Sequence, residues 1–291
     1  MAEKAKKESG NFLWETIKTI FWALLIAGVF RTLFFQPFWI PSGSMKDTLL
    51  VGDFLFVNKM AYGYSYASCP SVRLARFGVD IDAKDVCGWM GEEGRILGGD
   101  PERGDVVVFR HPVTGEDYIK RLIGLPGDEI QMIDSALYIN GEAVQVEDGG
   151  TFVETYAPQG LQGRTPLCSN GPVGIGGECE KERFIETLPN GVSHSILDIR
   201  YQRHADDTGV YHVPEDMYFF MGDNRDNSTD SRFPQSVGGV GFVPKANLIG
   251  RADRIMFSSA GRSLLFFWDW RKGRFFRAVQ QSKEDLLAEG S

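Results

Sequence analysis

Short runs of β-branched and aromatic residues, each closed by a glycine- or proline-bearing turn, constrain this chain more than any other feature. Phe54-Leu55-Phe56-Val57 and Val106-Val107-Val108-Phe109 are two such runs, and 34 glycines and 13 prolines in 291 residues supply the punctuation. The pattern predicts a mainly β fold. With 43% hydrophobic residues, the chain can bury a core in one or two domains. Residues 118–122 read as a strand with Tyr118 and Lys120 on one face and Ile119 on the other. Leu125-Pro126-Gly127-Asp128 is a turn, and residues 137–144 form a hairpin about Asn140-Gly141. The turn-rich stretch 61–102 reads as an extended ribbon or loop excursion. From the hairpin to about Val213 the chain is polar, glycine-rich and irregular, and reads as a smaller β domain inserted into an antiparallel sheet.

One segment stands apart from this pattern. Residues 12–40 are greasy, but their longest uncharged stretch, 19–30, has only twelve residues, against the ~20 needed to span a bilayer. Lys18 and Arg31 can snorkel at its ends, so a span over 12–33 is workable. A cleaved signal peptide with Lys4, Lys6 and Lys7 as its basic end is the rival; Phe34, Phe35 and Trp39 are poor substitutes for the small residues of a cleavage site. A buried soluble helix is a third option, disfavoured by the strand-like sequence that follows at once. The lysines before the span outnumber the cations just beyond it, which points to a cytoplasmic N-terminus and an external body.

A net charge of -8, with no basic stripe, argues against a nucleic-acid partner. The cysteines Cys69, Cys87, Cys168 and Cys179 contain no Cys-x-x-Cys pair, so zinc is not expected. An even number in loop-like surroundings fits two disulfides in an oxidising compartment, with four unrelated thiols as the alternative. Of three connectivities, Cys69–Cys87 with Cys168–Cys179 closes the two shortest loops. The tail 263–291 mixes aromatics with cations, which suits either a membrane interface or packing on the core.

The chemistry gathers in three places. Pro41-Ser42-Gly43-Ser44-Met45 puts a serine in a glycine-containing bend directly after the greasy segment, and Tyr118-Ile119-Lys120-Arg121 holds a lysine among apolar neighbours. A serine hydroxyl needs a base to attack an amide. A lysine can be that base if burial drives it neutral, which requires a fall of about two to three pH units from ~10.4, or roughly 3–4 kcal/mol. The third place, Gly222-Asp223-Asn224-Arg225-Asp226-Asn227-Ser228-Thr229-Asp230-Ser231-Arg232, is too polar for core and too patterned for a spacer.

In that order these segments resemble the motifs of bacterial type I signal peptidases (leader peptidases). The first match extends from Phe38 to Asp53. The second covers residues 103–109 and 118–128. The third continues to Gly241-Phe242-Val243-Pro244, so that roughly a third of the chain is covered. The family often has proline where Asp47 sits, which loosens the expected bend after Ser44. The resemblance implies a membrane-bound Ser-Lys endopeptidase, without cofactor or metal, that removes signal peptides from exported preproteins at Ala-x-Ala-like sites. Ser44 becomes the nucleophile and Lys120 the base. Ser42 and the Ser44 N–H form the oxyanion hole, a contribution of ~3 kcal/mol in comparable sites. Ser228 hydrogen-bonds the lysine amine, Asp230 and Arg232 form a buttressing pair, and Asp223 shapes the turn with Asn224 and Arg225. The substrate adds as a strand, with pocket walls at Phe38, Ile40, Met45, Leu49, Val108, Tyr118 and Ile119, residues that also suit a core.

The implied organisation is a cytoplasmic tail (1–11), an anchor (12–33), a catalytic β core (34–127 and 214–262), an inserted β domain (128–213) and the aromatic/basic tail. The body then lies on the periplasmic side of the bacterial inner membrane, in contact with phospholipids. Other readings remain open. They are a specialised relative maturing one pilin or conjugation protein, a soluble self-cleaving repressor, and a tethered binding module without turnover. A histidine triad is disfavoured because His111, His194, His204 and His212 all lie in polar, loop-like contexts. A calcium loop starting at Asp226 fails, since Ser231 and Val237 replace the glycine and glutamate it needs.

Overall fold

The computed structural model describes residues 2–69, 72–74, 79–81, 83–91, 94–160, 163–260 and 267–288. The chain opens with helix α1 (Ala2–Leu33). Strands β1 (Phe35–Trp39) and β2 (Asp53–Asn58) follow, then the short ribbon β3 (Val72–Leu74) and β4 (Val79–Ile81) and helix α2 (Ala83–Cys87). Next come β5 (Val106–Arg110), β6 (Asp117–Gly124), β7 (Glu129–Ile133), β8 (Ala136–Ile139) and β9 (Glu142–Ala143). Three longer strands, β10 (Gln145–Thr155), β11 (Glu178–Thr187) and β12 (Ser193–Asp198), lead to α3 (Arg203–Asp206) and β13 (Tyr211–His212). The chain then forms β14 (Met217–Met221), β15 (Val243–Pro244), β16 (Leu248–Ser258) and α4 (Lys283–Ala288).

A seven-stranded sheet in the order β1-β2-β16-β5-β6-β14-β15 carries the site. β5 is buried at every position, as expected of a central strand covered on both faces, whereas β2 alternates between buried and half-buried residues. The core beneath β1, β2 and β16 contains Ile40, Met45, Leu49, Leu55, Val108 and Ile255. A second core joins Ile123 of β6 and Phe219 of β14 to Ile130, Leu137 and Ile139 of the four-stranded sheet β13-β7-β8-β9. The β8–β9 hairpin turns at Asn140 and Gly141, both at positive φ, the backbone a tight Asn-Gly turn requires.

The polar stretch between this hairpin and Val213 is more regular than expected. It contains the antiparallel sheet β10-β11-β12, whose strands β10 and β11 run eleven and ten residues. Charge conceals the pattern in the sequence: Cys179, Lys181, Arg183 and Ile185 alternate inward along β11, and two of the four are cations buried against partners from distant segments. Disulfides join Cys69 to Cys87 and Cys168 to Cys179.

α1 spans 32 residues and exposes Phe12, Ile20, Phe21, Trp22, Leu24 and Ile26. No helix among the described residues is long and apolar enough to cross a membrane. In α1 the length is ample, but Glu15, Thr16, Lys18 and Thr19 dilute its apolar content. Beyond β16, Trp270 stacks on Phe257 at 4.6 Å, and Arg274 donates to Asp53 at 2.5 and 3.1 Å, so the tail packs on the main sheet while Phe267 and Trp268 stay exposed. Residues 264–266 of that aromatic run lie outside the described residues.

Candidate active site

The bend between β1 and β2 carries Ser44, and β6 carries Lys120. The Lys120 Nζ lies 2.7 Å from Ser44 Oγ and 2.9 Å from the Ile119 carbonyl. Ser44 is 7% exposed and Lys120 4%. Burial pushes the Lys120 amine down to about 8, while the carboxylates of Asp230 and Asp223 pull the other way. The amine also sits 5.7 Å from the Tyr118 ring, its neighbour on the same strand face. Ser42 Oγ is 3.5 Å from Ser44 Oγ, at the exposed edge of the bend.

The third polar segment holds this bend in place. Asn224 donates its side-chain amide to the Gly43 carbonyl at 2.9 Å and its backbone N–H to the Ser44 carbonyl at 3.1 Å. Asp223 accepts two hydrogen bonds from Arg121, at 2.8 and 2.6 Å, and one from Thr48 at 2.5 Å. Burial alone would raise the Asp223 carboxyl, but the Arg121 guanidinium outweighs it and holds the group below its ordinary value. Asp230 and Arg232 form a fully buried two-bond pair at 2.9 and 3.0 Å. Gly222 permits the close approach of these pieces: a Cβ there would lie 2.2 Å from Ser228 Oγ and 2.6 Å from the Ser44 carbonyl oxygen.

Ser228 departs from its expected role. Its hydroxyl is buried against Asp230, whose carboxylate it helps to hold ionised, and no hydrogen bond joins it to the lysine amine. The amine lies instead against Ser44 and the Ile119 carbonyl.

A cavity of about 800 Å3 opens over Ser44 and Lys120. Of the seven residues expected to wall the substrate pockets, Tyr118 and Ile119 line this cavity. Ile40, Met45, Leu49 and Val108 are instead buried in the core, with Phe38 packed against them. The opposite wall comes from Gln159, Arg164, Thr165 and Pro166 of the inserted segment, residues that no motif in the sequence marks.

Two histidines are not in solvated loops. His111 is buried beside Tyr118 and within 3.1 Å of the Gly239 carbonyl, and His194 is buried 3.2 Å from Glu186. Burial lowers the His194 pKa, with the Arg121 charge adding to it. Neither ring hydrogen-bonds to Ser44 among the described residues. Lys46 is a second buried lysine on the cavity wall, also lowered to about 8 by burial, but its amine donates to Glu154 at 2.5 Å and Gln159 at 2.8 Å and does not touch the serine.

A buried serine hydroxyl against a lysine amine at the foot of a cleft, on a mainly β fold, holds the groups a serine peptidase uses. The sequence model of the family described as "Signal peptidase, peptidase S26" matches residues 13–257, and this chain belongs to that family. It is 40% identical over 253 residues to Signal peptidase I of Rickettsia typhi, covering 84% of this chain and 79% of that protein. Signal peptidase I of Rickettsia massiliae is 38% identical over 272 residues, covering 91% and 83%. A crystal structure of a signal peptidase I from Enterococcus faecalis V583 shares 29% identity and covers 53% of this chain and 97% of that one, with a TM-score of 0.28.

Proposed function

We propose that this serine endopeptidase cleaves signal peptides from exported preproteins, with Ser44 as nucleophile and neutral Lys120 as general base. The observation that carries this reading is the 2.7 Å contact between a buried hydroxyl and a buried amine whose pKa is lowered to about 8. The neutral amine takes the Ser44 proton as the hydroxyl oxygen attacks the scissile carbonyl. The resulting ammonium then protonates the leaving amine, and a water deprotonated by the same lysine releases the acyl group. The Ser44 N–H and the Ser42 hydroxyl face the developing oxyanion. Asn224 fixes the peptide that presents that N–H.

The substrate enters as an extended strand along β6, and small side chains two residues apart, as in Ala-x-Ala, are those that the tightly packed Ile119, Met45 and Leu49 neighbourhood can admit with least rearrangement. The apolar side chains exposed on α1 from Ile20 to Val29, with Lys18 at the N-terminal edge of that stretch, support placing this helix in the bacterial inner membrane with the N-terminus cytoplasmic and the β body on the periplasmic side. Both disulfides fit that oxidising compartment. Incubating the purified full chain with several unrelated precursors tests this reading. Cleavage of most of them at small-x-small sites is expected. Cleavage of a single pilin-like precursor would point to a specialist, and no cleavage to a binding module.

A further inference from the structure

The two residues immediately beyond the Ser44-Met45 pair are both charged, and both are tied to the inserted sheet. Lys46 donates to Glu154 of β10 at 2.5 Å and to Gln159 at 2.8 Å, and Gln159 donates back to Glu154 at 2.6 Å. The other Glu154 oxygen takes the amine of Lys181 on β11. Asp47 accepts from Arg183, two residues along the same strand, at 2.8 Å. Lys181 and Arg183 therefore use one face of β11 to reach the bend, Arg183 directly through Asp47 and Lys181 through Glu154, the carboxylate it shares with Lys46. Arg183 is itself fixed by Ser195 at 3.0 Å and by the carbonyls of Gly149 at 3.0 Å and Leu286 at 2.7 Å.

These contacts bear on the reacting atoms through Gly43. A Cβ placed on Gly43 would lie 3.2 Å from Lys46 Cε and 3.4 Å from Lys46 Cδ, so the lysine stem folds back against the backbone just before Ser44. The Gly43 carbonyl on that peptide is the one Asn224 holds. The peptide whose N–H faces the oxyanion is thus fixed by Asn224, in the segment that follows β14, and by the Lys46 stem, which the inserted sheet grips at its charged end.

We propose that Lys46 and Asp47 are positioning residues, a charged clasp that locks the nucleophile bend to the inserted sheet through Glu154 and Arg183 and thereby aligns the Gly43–Ser44 peptide for oxyanion binding. This rests on the reading of Ser44 as nucleophile. Neither residue moves a proton. Loss of the clasp misplaces the oxyanion donor and leaves the Ser44–Lys120 contact in place.

The test measures kcat and KM of the full-length enzyme in detergent on a precursor peptide, for Asp47→Asn, Lys46→Met, Lys46→Arg and Ser44→Ala. Asp47→Asn and Lys46→Met should each lower kcat about 10–100-fold with KM within about twofold, the scale expected of a small misplacement at a reacting centre. Lys46→Arg, which keeps a cation able to reach Glu154, should recover most of the rate. The midpoint of the rising pH limb in Asp47→Asn should match that of the wild type, because Lys120 is untouched. In Asp47→Asn the amide oxygen can still accept from Arg183, which keeps Ser195, Gly149 and Leu286, so the fold should hold; near-UV circular dichroism checks it, and this variant decides the matter if Lys46→Met does not fold. Wild-type kcat in Asp47→Asn beside an inactive Ser44→Ala would overturn the clasp. A loss confined to KM, a displaced pH midpoint, or a Lys46→Arg enzyme as slow as Lys46→Met would do the same. An active Ser44→Ala would instead overturn the underlying assignment of the nucleophile.

Discussion

Lys120 and Ser44, separated by 76 positions in the chain, meet at 2.7 Å because β6 brings the lysine beneath the bend that follows β1. With the amine lowered to about 8 by burial, cleavage should rise with pH along a limb centred near that value, since only the deprotonated form accepts the serine proton. Lys120→Arg keeps the charge but offers no accessible base, and Lys120→Ala has none; both should be nearly inactive while still binding precursor. A pH–rate profile beside assays of the two variants makes the check. An active Lys120→Arg enzyme would remove the lysine from the mechanism.

Ser44→Ala should abolish cleavage without unfolding the protein, because one hydroxyl is lost from a cleft rather than from the core. Ser42→Ala should retain turnover reduced by roughly 10–1000-fold, the range seen when one oxyanion donor is removed and another remains. Turnover rates of the two variants on the same precursor distinguish the roles. Equal and complete loss in both would show that Ser42 does more than assist.

The residues of the chemistry were legible because each sits in a compact motif. Ser44, Lys120 and the Asp230–Arg232 pair lie where their segments imply, and the β14-β6-β5 pairing brings these segments together. What could not be read is what depends on partners from elsewhere in the chain. Lys181 and Arg183 look like solvated charges, yet both are buried because Glu154 and Asp47 pair with them, and the half-buried Glu154 takes Lys46 as well. The same masking made β10 and β11 look irregular. Ser228 marks another limit: resemblance implies a hydrogen bond to Lys120, whereas the rotamer that forms it depends on packing around Gly222 and Asp230 that no local pattern encodes. The core positions of Met45 and Leu49 were ambiguous for a different reason. Pocket walls and core residues have the same composition, and only geometry separates them.

Arg121 and Asp223 are each 1% exposed, so removing one charge strands the other. Asp223→Asn should cost about 3–5 kcal/mol, the range for breaking a buried pair by removing one partner. Because the folded-state pKa of Asp223 lies below its ordinary value, its contribution is present above pH ~3.9 and is lost as pH falls through the folded pKa. Urea unfolding of wild type and variant at pH 7 and in acid should therefore show a difference that narrows on acidification. A constant difference would remove the linkage argument.

Reducing the disulfides should destabilise the protein without changing its chemistry. The bridges Cys69–Cys87 and Cys168–Cys179 close loops with sequence separations of 18 and 11. Chain entropy predicts about 3 kcal/mol from each. Non-reducing peptide mapping should recover these two links, and Cys168→Ser/Cys179→Ser should unfold at lower urea while keeping kcat near wild type. A large loss of kcat at unchanged stability would place the 168–179 loop in the site rather than beside it.

Burying Lys120 also carries a stability penalty whose sign can be tested. Its pKa is about 8 when folded against 10.5 as an ordinary lysine, so between those values the unfolded chain binds more protons than the folded one. Stability from this group therefore increases as pH rises from about 8 toward 10.5, and below about 8 the folded protein bears the full cost of an ammonium held out of water. Lys120→Met keeps the apolar stem and removes the charge. It should raise stability at pH 7 by roughly 1–3 kcal/mol, and the gain should shrink as the pH is raised through the lysine's titration. Thermal or urea unfolding of the two proteins from pH 6 to 10 measures the difference. A variant that is inactive yet more stable at neutral pH would be the signature of a lysine kept buried for its chemistry. A variant less stable at every pH would mean that the pull of Asp223 and Asp230 on the ammonium outweighs its desolvation, and that the amine is not predisposed to act as a base.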